Sequence, residues 1–223
     1  MEEVPLDIVL NDSLTPTPSL ILDFETISTT YNRFVDLFPG GLVYYAMKAN
    51  ANPLVVELVV NHGGGLEIAS QAELVRALDA GAQGHQIICS NPIKHPHLLR
   101  QMQQADVYAV VVDSIYESKK LPGMRQAVAF NVRLAVDNTG SVLPLAGKFG
   151  VDSELALTLL DHAQHLGLQP IGFSFHVGSQ CLSPFNWVNA IRACGEVWTR
   201  ALERGHDLYF LDIGGGISGW ALS

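Results

Sequence analysis

The chain has 223 residues, 48% of them hydrophobic and only 16% charged, with a formal net charge of −9. That balance excludes an extended disordered chain, and its acidic sign argues against a nucleic-acid binder, which carries a basic face. There is no apolar run long enough to span a bilayer, and the start Met1-Glu2-Glu3 is unlike a secretion signal. Cys89, Cys181 and Cys194 form neither a disulfide framework nor a CxxC metal site, so a reduced, cytoplasmic setting is expected.

Residues 1–18 end in Thr15-Pro16-Thr17-Pro18, predicted as an extended, proline-stiffened lead-in. Ser19-Leu20-Ile21-Leu22-Asp23-Phe24 reads as a strand and 25–37 as a helix. From Lys48 onward strands and helices alternate, the pattern of βα units on a parallel sheet. Strands are predicted at 66–69, 86–90, 107–112, 128–136, 171–177 and 209–213, several of them nearly continuous in apolar character, as expected when both faces are covered. Helices are predicted at 71–79, with Ala72, Leu74, Val75 and Leu78 on one side and Gly81 as its stop, at 155–166 with Asp152 or Ser153 as cap and Gly167 beyond its end, and around 188–202. Counted from Val43 there are about seven strand units, where a closed (β/α)8 barrel has eight. An incomplete barrel leaves two unpaired sheet edges and is expected to associate with something.

Three places carry chemistry. Lys48 ends the apolar run Leu42-Val43-Tyr44-Tyr45-Ala46-Met47, so it reads either as a strand-end charge in water or as a buried amine that can lose its proton and act as a nucleophile. His176 lies in Phe173-Ser174-Phe175-His176-Val177-Gly178-Ser179-Gln180, an apolar strand closing on a polar turn. Leu208-Tyr209-Phe210-Leu211-Asp212-Ile213-Gly214-Gly215-Gly216 puts three glycines after a strand, where backbone N–H groups can approach an anion. Each alone has an ordinary structural reading. Together they meet the needs of pyridoxal 5′-phosphate (PLP): an amine for the aldehyde, a partner for the ring and donors for the phosphate.

Seven segments then carry a resemblance: Tyr45-Ala46-Met47-Lys48-Ala49-Asn50, Leu66-Glu67-Ile68-Ala69-Ser70, Cys89-Ser90-Asn91-Pro92-Ile93-Lys94, Asn131-Val132-Arg133, Lys148-Phe149-Gly150, Phe175-His176-Val177-Gly178-Ser179-Gln180 and Leu211-Asp212-Ile213-Gly214-Gly215-Gly216. In this order, over nearly the whole chain, it resembles the ornithine/diaminopimelate/arginine decarboxylases, closest to the ornithine type. The resemblance implies a (β/α)8 TIM-like PLP-binding barrel of the alanine-racemase type, incomplete at its C-terminal end, over 25–223. Residues 1–24 are then an extension whose strand normally joins a β domain. It implies that Lys48 forms the Schiff base with PLP, that His176 stacks on the ring, and that Ser179, Gly214, Gly215 and Gly216 hold the phosphate. Glu67 is placed near the Lys48 linkage and Arg133 near the ring, while Lys148 matches a subunit-contact position. The implied reaction is decarboxylation of a basic, ornithine-like amino acid in polyamine synthesis, by a homodimer or by a pairing with a longer homologue. The substrate stays open between this and a diaminopimelate type, and so does a non-catalytic, decarboxylase-like binding partner; a small PLP carrier is a weaker match. The family's β domain, pyridinium carboxylate and phosphate arginine have no counterpart here, so little decarboxylase activity is expected of this chain alone. His95-Pro96-His97 lacks a third metal ligand, Trp187 and Trp198 read as packing residues, and nothing beside Cys181 marks it as reactive.

Overall fold

The structure, a computed structural model, describes residues 11, 16, 18–121, 129–145 and 147–218, leaving aside the side chains of 129 and 130. Most of the predicted lead-in, the first residue of the strand predicted at 128–136 and the last five residues lie outside that set. The first element complete among the described residues is helix α1 (Phe24–Leu37), capped by Asp23, whose carboxylate accepts from the Thr26 amide. The strand expected at 19–24 does not form: among the described residues these pair with no strand, Leu20 and Ile21 are exposed, and Phe24 already belongs to α1. Apolar residues alone do not make a strand, because an extended segment needs a ladder partner for its backbone groups.

After α1 come β1 (Tyr44–Ala46), α2 (Pro53–Asn61), β2 (Gly65–Ile68), α3 (Gln71–Asp79), a 3₁₀ turn (Gly84–Gln86), β3 (Ile87–Cys89), α4 (Pro96–Gln104), β4 (Ala109–Val112), the single turn α5 (Ile115–Ser118) and β5 (Ala129–Arg133). The chain continues through β6 (Ser141–Leu143), α6 (Ser153–His165), β7 (Pro170–Ser174), β8 (Ser179–Cys181), α7 (Pro184–Glu203) and β9 (Phe210–Asp212). Seven strands form one parallel sheet in the order β1-β2-β3-β4-β5-β7-β9, matching the seven βα units read from the sequence. The short antiparallel pair β6–β8 stands apart and was not expected.

Helix starts follow local chemistry. Asn52 caps α2 with Pro53 at the first helical position, and Asp152 caps α6. Ser70 caps α3, its hydroxyl accepting from the Glu73 amide, while the Glu73 carboxylate accepts from the Ala69 amide just before the cap at 2.6 Å. The buried face of α3 is Leu74 and Ala77, whereas the predicted Ala72, Val75 and Leu78 are exposed. Leu74 and Ala77 lie three apart and share the stripe that the sheet covers. No helix among the described residues is long and apolar enough to cross a membrane.

Register decides which side chains face which layer. Leu66, Ile68, Ile87, Cys89, Val110, Val112, Val132 and Phe173 point to the helices and are fully buried, about 1.5–3 kcal/mol for each large side chain. Trp198 meets Phe173 edge-on at 6.1 Å and Trp187 packs on the same core, the packing roles expected of them. On the opposite face Tyr44, Ile88, Ala109 and Phe210 share a second cluster, and the Tyr108 and Phe210 rings meet at 5.9 Å. Because β4 and β9 are not neighbours in the sheet, that contact requires the sheet to curl on itself. The same face carries Glu67, Arg133, Ser174 and Asp212 at its C-terminal end, since Arg133 pairs with Ser174 and Ser174 with Asp212.

Candidate functional site

The loops after β1, β2, β3, β7 and β9 converge at one rim. Strand β1 ends at Ala46 and residues 47–49 form a turn, so the fully buried residue is Met47; the Lys48 side chain is 57% exposed. The expectation of a buried lysine is therefore corrected: the turn sends Met47 into the core and Lys48 to the mouth of the curled sheet. There Lys48 Nζ stands 3.6 Å from Glu67 Oε2. Glu67 is only 8% exposed, which rules out a strand-end carboxylate in open water. Burial pushes its pKa up, opposed by the Lys48 charge and reinforced by Asp212 and Glu73.

His176 follows β7, and its Nδ1 accepts from the Gly178 amide at 3.0 Å, which leaves Nε2 to carry the proton of the neutral ring. Burial, with the Lys48 and Arg133 cations, lowers its pKa to about 4. The imidazole is neutral at pH 7. Arg133 closes β5; burial works against its charge, while Asp113, Asp212 and Glu67 support it. Its guanidinium lies 5.1 Å from the Phe149 ring, and exposed Lys148 sits 5.1 Å from the same ring. A cavity of about 60 Å³ lined by Arg133, Asn138, Leu145, Phe149 and His176 opens beside them.

The glycine turn packs against the His176 loop. Gly214 and Gly216 adopt φ +68° and +91°, and Gly216 lies beside the His176 ring. Cys181 N–H donates to Gly216 O at 2.7 Å, fastening the turn to β8. The Gly214 amide is used by Asp212 Oδ1 at 2.8 Å, but among the described residues the amides of Gly215 and Gly216 donate to no group. A Cβ on Gly215 would meet nothing within 4 Å. Ser179, expected at a strand end, instead opens β8, opposite Leu143 of β6 and three residues from His176. Cys181 is buried with its thiol against Ser183 O, and His95 caps α4 through Nδ1.

Two residues of this rim escaped the sequence reading. Asp212 was quoted only as part of the glycine motif, yet its charge bears on Glu67, Arg133 and Tyr44; burial raises its own pKa, against the Gly214 amide, Arg133 and Lys48. Glu73 was legible as the fourth residue of Ser70-Gln71-Ala72-Glu73.

The titration of His176 has a consequence for stability. Its folded pKa lies below the unfolded value of 6.5, so its contribution is present above pH 6.5 and is lost as the pH falls towards about 4. The partly exposed ring reduces the effect to about 1–2 kcal/mol. Glu67 and Asp212 act oppositely: their raised pKa values add stability as the pH falls. The expected result is that wild type loses about 1–2 kcal/mol more than His176→Gln between pH 7 and pH 4 in urea denaturation. Parallel losses would show that the ring is not held neutral by the fold.

An amine paired to a buried carboxylate, a neutral imidazole and an open glycine turn lie at the C-terminal rim of a curled parallel α/β sheet of the barrel class. Comparison with known proteins narrows it. Residues 24–223 match the family described as pyridoxal-dependent decarboxylase, pyridoxal binding domain. Lysine/ornithine decarboxylase of Selenomonas ruminantium is 34% identical over 201 residues, 90% of this chain and 51% of that protein. The crystal structure of lysine decarboxylase from Selenomonas ruminantium superposes with a TM-score of 0.88 at 32% identity, covering 97% of this chain and 57% of that one. Antizyme inhibitor 2 of Xenopus laevis is 30% identical over 89% of this chain and 44% of its own length. The chain belongs to the pyridoxal-dependent decarboxylase family, whose pyridoxal-binding domain it matches, and it spans about half the length of these relatives. Its cofactor is PLP, and the residues present fit that group: an amine, a flat neutral ring, and a turn with two free amides that has room for an anion.

Proposed function

We propose that this chain is the cofactor-binding barrel of a decarboxylase acting on a basic amino acid of the ornithine or lysine kind, with the cofactor attached through the Lys48 amine. The observation that carries the reading is the Lys48–Glu67 pair at the sheet mouth, with His176 and the glycine turn on the same rim. PLP, when bound, supplies an electron-accepting ring for the pair of electrons left as carbon dioxide departs. Every other role falls to the chain. Glu67, buried and with its proton affinity raised, exchanges a proton with the nitrogen at Lys48. His176, fixed by the Gly178 amide, offers a flat uncharged face to the ring, so it adds no positive charge to it. The Gly215 and Gly216 amides with the Ser179 hydroxyl would receive the phosphate, and Arg133, with Asp113 and Asp212, would set the charge on its side of the site.

Ornithine leads among substrates because Asn91-Pro92-Ile93-Lys94 is of the ornithine type, and the product would feed polyamine synthesis. Residues 25–223 form the barrel and 1–24 its lead-in, in a cytoplasmic protein that pairs with a second copy. A second reading is a decarboxylase-like binding partner without turnover, favoured by the similarity to a protein named antizyme inhibitor 2.

The test is to titrate the protein with PLP, reduce with borohydride and map the labelled peptide. One equivalent fixed on Lys48 is expected. Labelling scattered over exposed lysines such as Lys148 would overturn the proposal.

A further inference from the structure

Lys94 is 1% exposed, among the largest fully buried side chains, and the site does not use it. Its ammonium donates to the carbonyl oxygens of Asn91 at 3.1 Å, Pro92 at 2.9 Å and Val111 at 2.5 Å, a full complement for three protons. Glu117 Oε2 supplies a countercharge at 3.8 Å and accepts from the Lys94 amide at 3.1 Å. Lys120 pairs with the other oxygen of Glu117 and donates to Lys94 O at 3.2 Å. A buried ammonium and a partly exposed one share one buried carboxylate, an arrangement that stability alone does not favour over a well-packed apolar side chain at Lys94.

What the ammonium does, and an apolar side chain cannot, is join separate parts of the rim. Val111 belongs to β4, two residues before Asp113, whose Oδ2 accepts from Gly150 N–H at 3.1 Å and whose charge faces Arg133. Asn91 follows β3, and its side-chain amide donates to Ala69 O at 3.1 Å, two residues beyond Glu67. Lys94 therefore sits where the rims after β2, β3 and β4 meet, behind the polar centre. We propose that Lys94 is a positioning residue that holds Asp113, and through Asp113 the Gly150 turn and the Arg133 guanidinium, in the arrangement the cofactor site requires. The claim of a cofactor site rests on the reading above; the claim of position does not.

The test uses Lys94→Met in the whole chain, read first without cofactor. Exchange of the Gly150 amide hydrogen is expected to quicken by about tenfold while the Leu66 and Val110 amides change less than about twofold. The His176 titration, which feels Arg133, is expected to move upwards. Affinity for PLP is expected to fall by about tenfold. Asp113→Asn should reproduce the loss, and the double variant should lose no more than Asp113→Asn alone. Where the Met variant fails to fold, Lys94→Gln, which keeps a neutral donor, is read in the same three ways. Gly150 exchange unchanged from wild type, a uniform quickening across the strands, or additive losses in the double variant would each overturn the proposal. Wild-type protein that takes PLP elsewhere than on Lys48 would overturn the cofactor reading instead, while amide exchange and the His176 titration still decide the role of Lys94.

Discussion

Gly216→Ala is expected to destabilise the chain by about 3 kcal/mol and to weaken PLP binding by about a hundredfold. The residue stands at φ +91°, where an L side chain costs about 1–2 kcal/mol. Its new Cβ would lie 2.0 Å from Gly178 O and 3.4 Å from His176 Cε1. Relief by backbone movement would break the bond from Cys181 N–H to Gly216 O and disturb the Gly178 amide that fixes the His176 ring. Gly215→Ala is the control, since its Cβ meets nothing within 4 Å; its stability should stay within about 0.5 kcal/mol of wild type. Urea denaturation and a PLP titration of both variants check the contrast. Equal stability of the two would mean that the turn relaxes freely and does not brace the histidine loop.

Lys48→Ala separates chemistry from architecture. The lysine is largely exposed and its partner carboxylate is 3.6 Å away, so the pair contributes no more than about 1 kcal/mol to folding. The variant should fold and show a nearly unchanged melt. Covalent capture of PLP should disappear, because no other amine stands beside the buried carboxylate among the described residues. The His176 midpoint should rise from about 4 towards its ordinary value, since one of two neighbouring cations is gone. Proton NMR of the imidazole and borohydride trapping read the two effects independently. A variant that still traps one equivalent of PLP within the site would remove Lys48 from the proposed role.

The sheet was legible because a parallel strand covered on both faces leaves an unbroken apolar run, as in Ala109-Val110-Val111-Val112. The glycine turn and the His176 loop were legible as motifs because backbone geometry there admits few residues. The exposure of Lys48 was misread because β1 is only three residues long and the burial attributed to its end belongs to Met47. The β6–β8 pair escaped because Ser141-Val142-Leu143 and Ser179-Gln180-Cys181 are only three residues each, and they pair over long separations, Leu143 with Ser179 and Ser141 with Cys181. Asp212 and Lys94 were passed over because each draws its meaning from charges and carbonyls on other strands, which no local pattern records.

The order of the sheet has a consequence for how the chain reaches its fold. Each strand of the sheet pairs with the one before it, so Tyr44 meets Gly65 after 21 residues and Arg133 meets Ser174 after 41. Loop-closure entropy grows slowly with length, by about 0.6 kcal/mol per doubling, so successive pairings carry similar costs. The sheet can therefore grow by accretion: any adjacent βα units that have formed present a ready template to the next, and among the described residues each pairing joins neighbours in this order. Over this stretch the sheet behaves in folding like a repeat array, able to lengthen during synthesis one unit at a time.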